Sequence, residues 1–286
     1  MIPSGLCLVV LLGIGHAAAG EIKAADCRII YDKYDYQAAN SRNFMFGEVW
    51  PKNEIPYVLG SGYSVNDRAV ILSAMRHIEQ RVCIKFVVRS TQKNYVLIKN
   101  DESGCFATLG YHNRRGQHTL NLQRTDARGR TCMIMGIAAH EMLHVLGFAH
   151  EQTRADRDQY VQINWSNIRR SSISNYFRST EVGSSERPPV CDPKSSQKSF
   201  DNCVSGFKTE TFGMPYDFGS IMHYGLDYFT TTGRDTMSVR AEVPIGIKIG
   251  NRDGMTHLDA QKAQAKYGCN GRTTTTRKPS VGKYGL

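Results

Sequence analysis

The chain has 286 residues, long enough to bury a sizeable core, with a formal net charge of +10 at pH 7 and a pI near 9.2. The basic residues are scattered and form no nucleic-acid-binding motif, so the charge indicates a solvated basic surface and we expect no nucleic-acid partner. No stretch approaches the roughly 18 apolar residues that a membrane span requires, so we also expect no membrane partner.

The first twenty residues are typical of a secretory signal peptide. An apolar run from Leu6 to Ile14 is followed by small residues, with cleavage expected near Ala19 or Gly20. The run is too short to anchor the chain in a membrane. We therefore predict a signal peptide over residues 1–20 and a secreted, extracellular protein.

The region that starts at Trp50 opens with strand and helix patterns. A strand is predicted over residues 54–60, and Ser64 with Asp67 resembles a capping box that begins a helix through about Gln80. Further strands are predicted at residues 84–89, 95–99 and 119–123.

The segment from His140 to Glu151 carries three imidazoles and a carboxylate at a spacing that suits a zinc ion. His140 and His144 are four residues apart, so on a helix they lie on one face with Cβ atoms about 5–6 Å apart. Gly147 ends this helix, because a left-handed backbone costs least without a Cβ. The chain can then turn back and bring His150 to the same ion. Three protein ligands leave one position open for water, which is typical of a catalytic zinc.

Glu141 lies one step round the helix from His140, where it can contact a metal-bound water and act as general base. Two histidines at this spacing, with no other signal, are more often ordinary surface or core residues than metal ligands. Because Gly147 and His150 are also present, the pattern favours a catalytic zinc, with a structural or inactive metal site as the alternative. The remaining histidines, such as His118, lack paired spacing and are expected to have surface or hydrogen-bonding roles.

After the third histidine the predicted regular structure is sparser. A final helix is predicted from Thr256 to Lys266, with Thr256 and Asp259 as a cap pair. The basic, Thr-rich tail over residues 271–286 has no periodicity and is predicted to be disordered. Asn164 begins a glycosylation sequon and is a candidate acceptor.

The residues around the third histidine, together with a second motif, resemble the astacin family of metzincin zinc endopeptidases. The resemblance runs from about Trp50 to Cys269. It is carried by Phe148, Glu151, Gln152-Thr153-Arg154, Asp156-Arg157-Asp158 and the Met-turn Ser220-Ile221-Met222-His223-Tyr224.

This resemblance implies an α+β, two-lobed metzincin (zincin-like) fold. The N-terminal lobe would hold a mixed twisted sheet and the active-site helix, and the irregular C-terminal lobe would end in a helix. The implied astacin-like catalytic domain spans residues 43–270 and binds one Zn²⁺ per chain. The implied function is a monomeric, secreted, zinc-dependent endopeptidase that hydrolyses peptide bonds in proteins.

The resemblance also implies roles for single residues. Met222 would pack beneath the three ligands, and Tyr224 would donate a hydrogen bond to the tetrahedral oxyanion. Glu151 would pair with the ammonium of the mature N-terminus. Protein substrate would bind as an extended strand along a sheet edge at residues 119–123. The alternative is a non-catalytic secreted binding protein on the same scaffold, which loss of Glu141 or of a ligand would indicate.

Of the eight cysteines, Cys7 leaves with the signal peptide and six others lie between Trp50 and Cys269, an even number typical of an oxidising compartment. Spacing alone permits many pairings. The resemblance implies Cys83 with Cys269 and Cys105 with Cys132, and Cys191 with Cys203 remain as a third pair.

A short pro-segment is expected over residues 21–42, with the mature N-terminus placed by the resemblance around Ala39 to Asn43. The family's Phe-x-Gly-Asp motif, in which the aspartate covers the zinc, does not occur in this segment. The group that would cover the metal stays open among Cys27 and the aspartates Asp26, Asp32 and Asp35.

Overall fold

The computed structural model describes residues 23–24, 27–30 and 48–269. The predicted signal peptide, most of the pro-segment and the predicted tail lie outside the described residues, as does the side chain of Cys27. The α-helices of the described part are α1 Val65–Glu79, α2 Met135–Val145 and α3 His257–Lys266. None of the three combines the length and the apolar character that a bilayer span requires.

The strands in the described part of the chain are short. They are β1 Lys23–Ala24, β2 Cys27–Ile30, β3 Glu54–Leu59, β4 Lys85–Val88, β5 Tyr95–Lys99, β6 Cys105–Thr108, β7 Gln117–Leu122, β8 Arg130–Thr131, β9 Val161–Ile163, β10 Thr180–Glu181, β11 Lys208–Thr209 and β12 Met237–Val239.

Six of these strands form the main sheet, in the order β2-β6-β7-β5-β3-β4. Every neighbouring pair is parallel except β6 with β7, so the sheet is mixed. Along β5 buried and half-buried residues alternate, and Val96 and Ile98 lie in the core.

The prediction that residues 119–123 form a sheet edge is wrong. β7 lies inside the sheet, hydrogen-bonded to β6 on one side and to β5 on the other. The strand beyond it, β6, was not predicted from the sequence. All four of its residues are buried, so the polar alternation that marks a half-buried strand is absent. Its far side pairs in parallel with β2 of the predicted pro-segment.

α1 and α2 pack against each other and against the sheet. α1 begins with the predicted capping box, in which Ser64 and Asp67 each bond the other's backbone nitrogen. Its buried residues Ile71, Ala74, Met75 and Ile78 form one apolar face. α2 is buried on every side from Gly136 to Val145, so its polar side chains are enclosed by protein.

The described residues form two main apolar cores. The first joins the sheet, α1 and α2, whereas the second gathers residues between Val161 and Met237. α3 returns to the first core through Ala263 and Tyr267. Three disulfides join Cys83 to Cys269 and Cys105 to Cys132, the two pairs that the resemblance implies, and Cys191 to Cys203, the pair that remained. The first of them ties the end of the described chain to the residues that follow α1.

Candidate metal centre

Three buried imidazoles meet at the C-terminal end of α2. His140 and His144 come from successive turns of α2, and His150 immediately precedes a 3₁₀ turn. The Nε2 atom of His150 lies 3.2 Å from the Nε2 atoms of both His140 and His144. One nitrogen from each ring falls within 4.8 Å of the other two, so the three rings share one point of convergence.

Gly147 makes this convergence possible. Its φ is +94°, a conformation that side-chain-bearing residues rarely adopt. Its backbone nitrogen donates to the carbonyl of His144 at 2.8 Å, and that of Phe148 donates to the carbonyl of Leu143 at 3.0 Å. These bonds end α2 and reverse the chain, so that His150 returns to the two rings on the helix.

The two helical histidines have a defined tautomer. The Nδ1 atom of His140 lies 2.7 Å from the carbonyl oxygen of Ile221, and that of His144 lies 2.6 Å from the carbonyl oxygen of Phe148. A carbonyl only accepts, so each Nδ1 carries the proton and each Nε2 presents a lone pair. Burial lowers the pKa of His140 well below its usual value and that of His144 to about 4, which keeps both rings neutral.

This arrangement fits a zinc ion. Lone pairs on neutral nitrogens 3.2 Å apart repel each other unless a cation lies between them. Tetrahedral zinc, with Zn–N distances of about 2.0–2.1 Å, separates two imidazole nitrogens by about 3.3 Å. The spacing, the neutral charge and the nitrogen donors therefore all match zinc.

The other predicted site residues are buried. Glu141 follows His140 on α2 and is fully buried. The ring of Tyr224, also fully buried, has its centroid 4.2 Å from that of His150. Met222 is buried, and its carbonyl accepts a hydrogen bond from the nitrogen of Glu151 at 3.1 Å.

The profile of the peptidase family described as Astacin matches residues 44–188 and 193–268, a span that includes the three histidines, Glu141 and the Met-turn. The chain belongs to the astacin family. It has the two-lobed α+β fold of that family, and the metal of its three-histidine site is zinc.

Individual curated proteins are similar to this chain as well. High choriolytic enzyme 2 of Oryzias latipes is 36% identical over 219 residues, which cover 75% of this chain and 64% of that protein. Astacin-like metalloendopeptidase of Gallus gallus is 35% identical over 240 residues, or 82% of this chain and 48% of that protein. The chain thus spans less than two thirds of the length of these curated relatives.

A solved structure is similar as well. The hatching enzyme High choriolytic enzyme 1 from Oryzias latipes, a zinc-protease, superposes with a TM-score of 0.61 at 34% identity. The superposition covers 79% of this chain and 96% of that structure.

Sequence reasoning missed the contribution of α3 to the site. Asp259 accepts hydrogen bonds from the hydroxyl of Ser220 at 2.5 Å and from the nitrogen of Ile221 at 2.9 Å. Three residues further on, the Nζ of Lys262 lies 2.7 Å from both carboxylate oxygens of Glu151. The available signal was the occurrence of two charged residues, three apart, on the buried face of a predicted helix.

Arg252 was also missed, although its guanidinium supports the Met-turn. Its Nη1 donates to the carbonyls of Ile221 at 2.9 Å and His223 at 3.1 Å. The carbonyl of Ile221 therefore accepts from both a metal ligand and Arg252. No local pattern in the sequence marks this arginine.

Two residues with predicted roles, Glu151 and Asn164, bond other partners in the structure. Glu151 contacts Lys262, and the mature N-terminus lies outside the described residues, so their pairing stays a prediction. The side-chain nitrogen of Asn164, to which a glycan would attach, donates to the carbonyl of Asp235 and the hydroxyl of Ser238. Glycosylation there would replace one of the two amide hydrogens, so at least one of these hydrogen bonds would be lost.

Proposed function

We propose that this protein is a secreted zinc-dependent endopeptidase that hydrolyses peptide bonds in proteins. One observation carries the proposal: the Nε2 atoms of three buried imidazoles converge, and Glu141 follows one of them, His140, on a helix that the protein encloses. A non-catalytic binding protein on this scaffold would have no need of a buried carboxylate at that position.

The proposed reaction divides between the metal and the protein. When bound, zinc supplies Lewis-acid chemistry, which acidifies water and polarises a peptide carbonyl. Glu141 accepts the proton that water loses and delivers it to the nitrogen of the leaving fragment, so that the C–N bond breaks and one water is consumed. Tyr224 donates its phenolic hydrogen to the oxyanion that develops on the carbonyl oxygen. His140, His144 and His150 hold the metal.

We propose that substrate adds to the sheet at β6. Strand addition aligns an extended peptide through main-chain hydrogen bonds and tolerates many side chains. The pairing of β2 with this side of β6 supports the proposal, because it identifies an edge that accepts a further strand. Removal of the pro-segment over residues 21–42 would open the edge, so β2 contributes to latency whichever group covers the metal.

Secretion and a monomeric state belong to the same proposal. Three disulfides suit an oxidising compartment, and the apolar run before Ala19 suits export. The processed chain would act alone, without nucleic-acid or membrane partners. Light scattering of the processed protein tests the monomer, and N-terminal sequencing locates both cleavage sites.

The activity is tested with the full chain, expressed through a secretory pathway and allowed to mature. We expect the processed form to hydrolyse casein. This hydrolysis should stop when a zinc chelator is added and resume when zinc is restored. Hydrolysis that persists in the zinc-free protein would contradict the metal's role. A zinc-loaded, processed protein that cleaves no protein substrate would favour the binding-protein alternative.

A further inference from the structure

Lys262 and Glu151 form a buried ion pair beside the metal centre. The lysine ammonium lies 2.7 Å from each carboxylate oxygen, and the two side chains are only 8% and 7% exposed. The residues are 111 apart in the sequence, so the pair joins α3 to the segment that follows α2.

Glu151 is bonded directly to the third ligand. Its backbone nitrogen donates to the carbonyl of Met222, while its side chain accepts from the nitrogen of Asp217 at 3.0 Å and from Nη1 of Arg154 at 3.1 Å. The position of this carboxylate therefore fixes where the chain leaves His150.

Lys262 supplies the cation that this buried carboxylate requires, because a buried charge without a partner is strongly disfavoured. The guanidinium of Arg154 forms ion pairs with both Glu151 and Asp156, whereas both hydrogen bonds described for Lys262 go to Glu151. α3 itself is held in place by the disulfide of Cys269 and by Asp259. The cation thus comes from a part of the chain that the fold already fixes.

We infer that Lys262 is a positioning residue for His150: the ammonium holds Glu151, and Glu151 holds the backbone that presents the third imidazole. Together with Asp259, which bonds the turn that orients His140, it makes α3 the element that sets two of the three metal ligands. This inference rests on the proposed zinc-peptidase function, but it concerns metal binding and is tested apart from turnover.

Lys262 is the counter-ion that α3 supplies to Glu151, and the terminal ammonium of the mature chain, which the resemblance implies, is the competing candidate. The pair borders a crevice that is also lined by Phe148, Thr209 and Glu210, so a second cation could approach the same carboxylate. The two sources of positive charge are separable, because cyanate near neutral pH carbamylates an α-amino group, with a pKa of about 8, ahead of lysines with the ordinary pKa of about 10.4. Burial lowers the pKa of Lys266 to about 8, so this lysine must be removed before the reaction is selective.

The first experiment measures zinc loss from the mature protein to an excess of chelator. We expect Lys262→Met to release zinc about tenfold faster than the unaltered protein, and Lys262→Arg to restore retention to a large extent because it returns the cation. The matched control is Lys266→Met, which removes a lysine one turn later on α3 whose charge interacts with Glu210. Equal zinc loss from Lys262→Met and Lys266→Met would overturn the inference.

Kinetic constants separate positioning from general loss of structure. Lys262→Met should lower kcat while KM changes little, because the proposed substrate edge at β6 is on another element. If Lys262→Met does not fold, the double variant Glu151→Gln/Lys262→Met removes both charges and leaves no buried ion unpaired. Faster zinc loss from the double variant supports the inference, and retention equal to that of the unaltered protein rejects it.

The third experiment carbamylates the terminal amine of the mature Lys266→Met variant, which lacks the lysine with a lowered pKa, and compares it with the same variant left untreated. Zinc retention should not change, because the counter-ion of Glu151 is internal. A rise in zinc loss to the rate of Lys262→Met would assign the role to the N-terminus. Zinc retention can be measured even if the protein cleaves no peptide. The role of Lys262 and the proposed peptidase activity are therefore tested independently of each other.

Discussion

The Nδ1 atom of His140 lies 2.7 Å from the carbonyl oxygen of Ile221, which is 81 residues further along the chain. This hydrogen bond orients the first ligand on α2 through the Met-turn, and Asp259 bonds the nitrogen of the same Ile221. The pair of histidines on α2 is therefore local in sequence, but its correct orientation depends on the folded second half of the chain.

Glu141→Gln should abolish most peptide hydrolysis while zinc stays bound. Glutamine has nearly the same shape but cannot accept the proton from water, so we expect kcat to fall by about 10²- to 10⁴-fold. The three imidazoles are unchanged, so elemental analysis should still find one zinc per chain. Glu186→Gln, at an exposed position, is the matched control. Turnover by Glu141→Gln at the rate of this control would remove Glu141 from the mechanism.

Tyr224→Phe tests the proposed oxyanion donor. The ring would keep its contacts with His150 and Tyr176, and only the hydroxyl would be lost. We expect kcat to fall by about 10²- to 10³-fold, as for other oxyanion donors, with a much smaller change in KM. Tyr160→Phe, which alters a ring stacked on Tyr216 at 4.5 Å, should leave both constants unchanged. An unchanged kcat for Tyr224→Phe would indicate a packing role alone.

The features predicted from sequence are those that local interactions decide. The capping boxes at Ser64 and Thr256 each lie within four residues, so the starts of α1 and α3 were visible. The three metal-binding histidines fall within eleven residues, and one glycine decides how they meet. A helical spacing and a single break in it were enough to predict the ligand set.

The features that sequence reasoning missed depend on long-range closure. β6 becomes recognisable as a strand only once β7 lies beside it, because all four of its residues are buried and polar and apolar residues do not alternate along it. The contact of Lys262 with Glu151 spans 111 residues and requires α3 to return to the first core. A periodic sequence pattern encodes neither the pairing of β6 with β7 nor the contact of Lys262 with Glu151. The position of the sheet edge was therefore predicted wrongly, and the ion pair was not predicted.

His118 should make the protein sensitive to acid independently of the metal. The side chain is fully buried, with its Nε2 accepting from the nitrogen of His112 at 3.0 Å and its ring 4.9 Å from that of Trp50. Burial, reinforced by the nearby charges of His112 and Arg115, lowers the pKa of His118 to about 3.

Because the folded-state pKa of His118 lies below the unfolded value, its contribution to stability is complete above about pH 6.5 and is lost as the pH falls towards 3. Between pH 7 and pH 4 this amounts to about 3 kcal/mol of unfolding free energy. His118→Gln keeps a donor and an acceptor but does not titrate. Between pH 7 and pH 4 the unfolding free energy of this variant should therefore fall by about 3 kcal/mol less than that of the unaltered protein. Urea unfolding at both pH values, with chelator present throughout, measures the difference. His257→Gln, at an exposed histidine, should behave like the unaltered protein.

Gly136→Ala should destabilise the protein although alanine favours helices. A Cβ at Gly136 would clash with the carbonyl oxygen of Arg252, and the backbone there cannot retreat freely because the side chain of Arg252 bonds the carbonyls of Ile221 and His223. Overpacking of this kind costs about 3 kcal/mol or more, which exceeds the roughly 1 kcal/mol that helix propensity returns.

The matched control for this clash is Gly183→Ala. Gly183 has a φ of +85° but no atom within 4 Å of an added Cβ, so only backbone strain of about 1–2 kcal/mol is expected. Urea unfolding of the zinc-free variants compares the two costs directly. Gly136→Ala should also release zinc faster, because displacement of residue 252 moves the turn that orients His140. Equal unfolding free energies for the two variants would show that the contact with residue 252 yields easily and does not hold the metal centre.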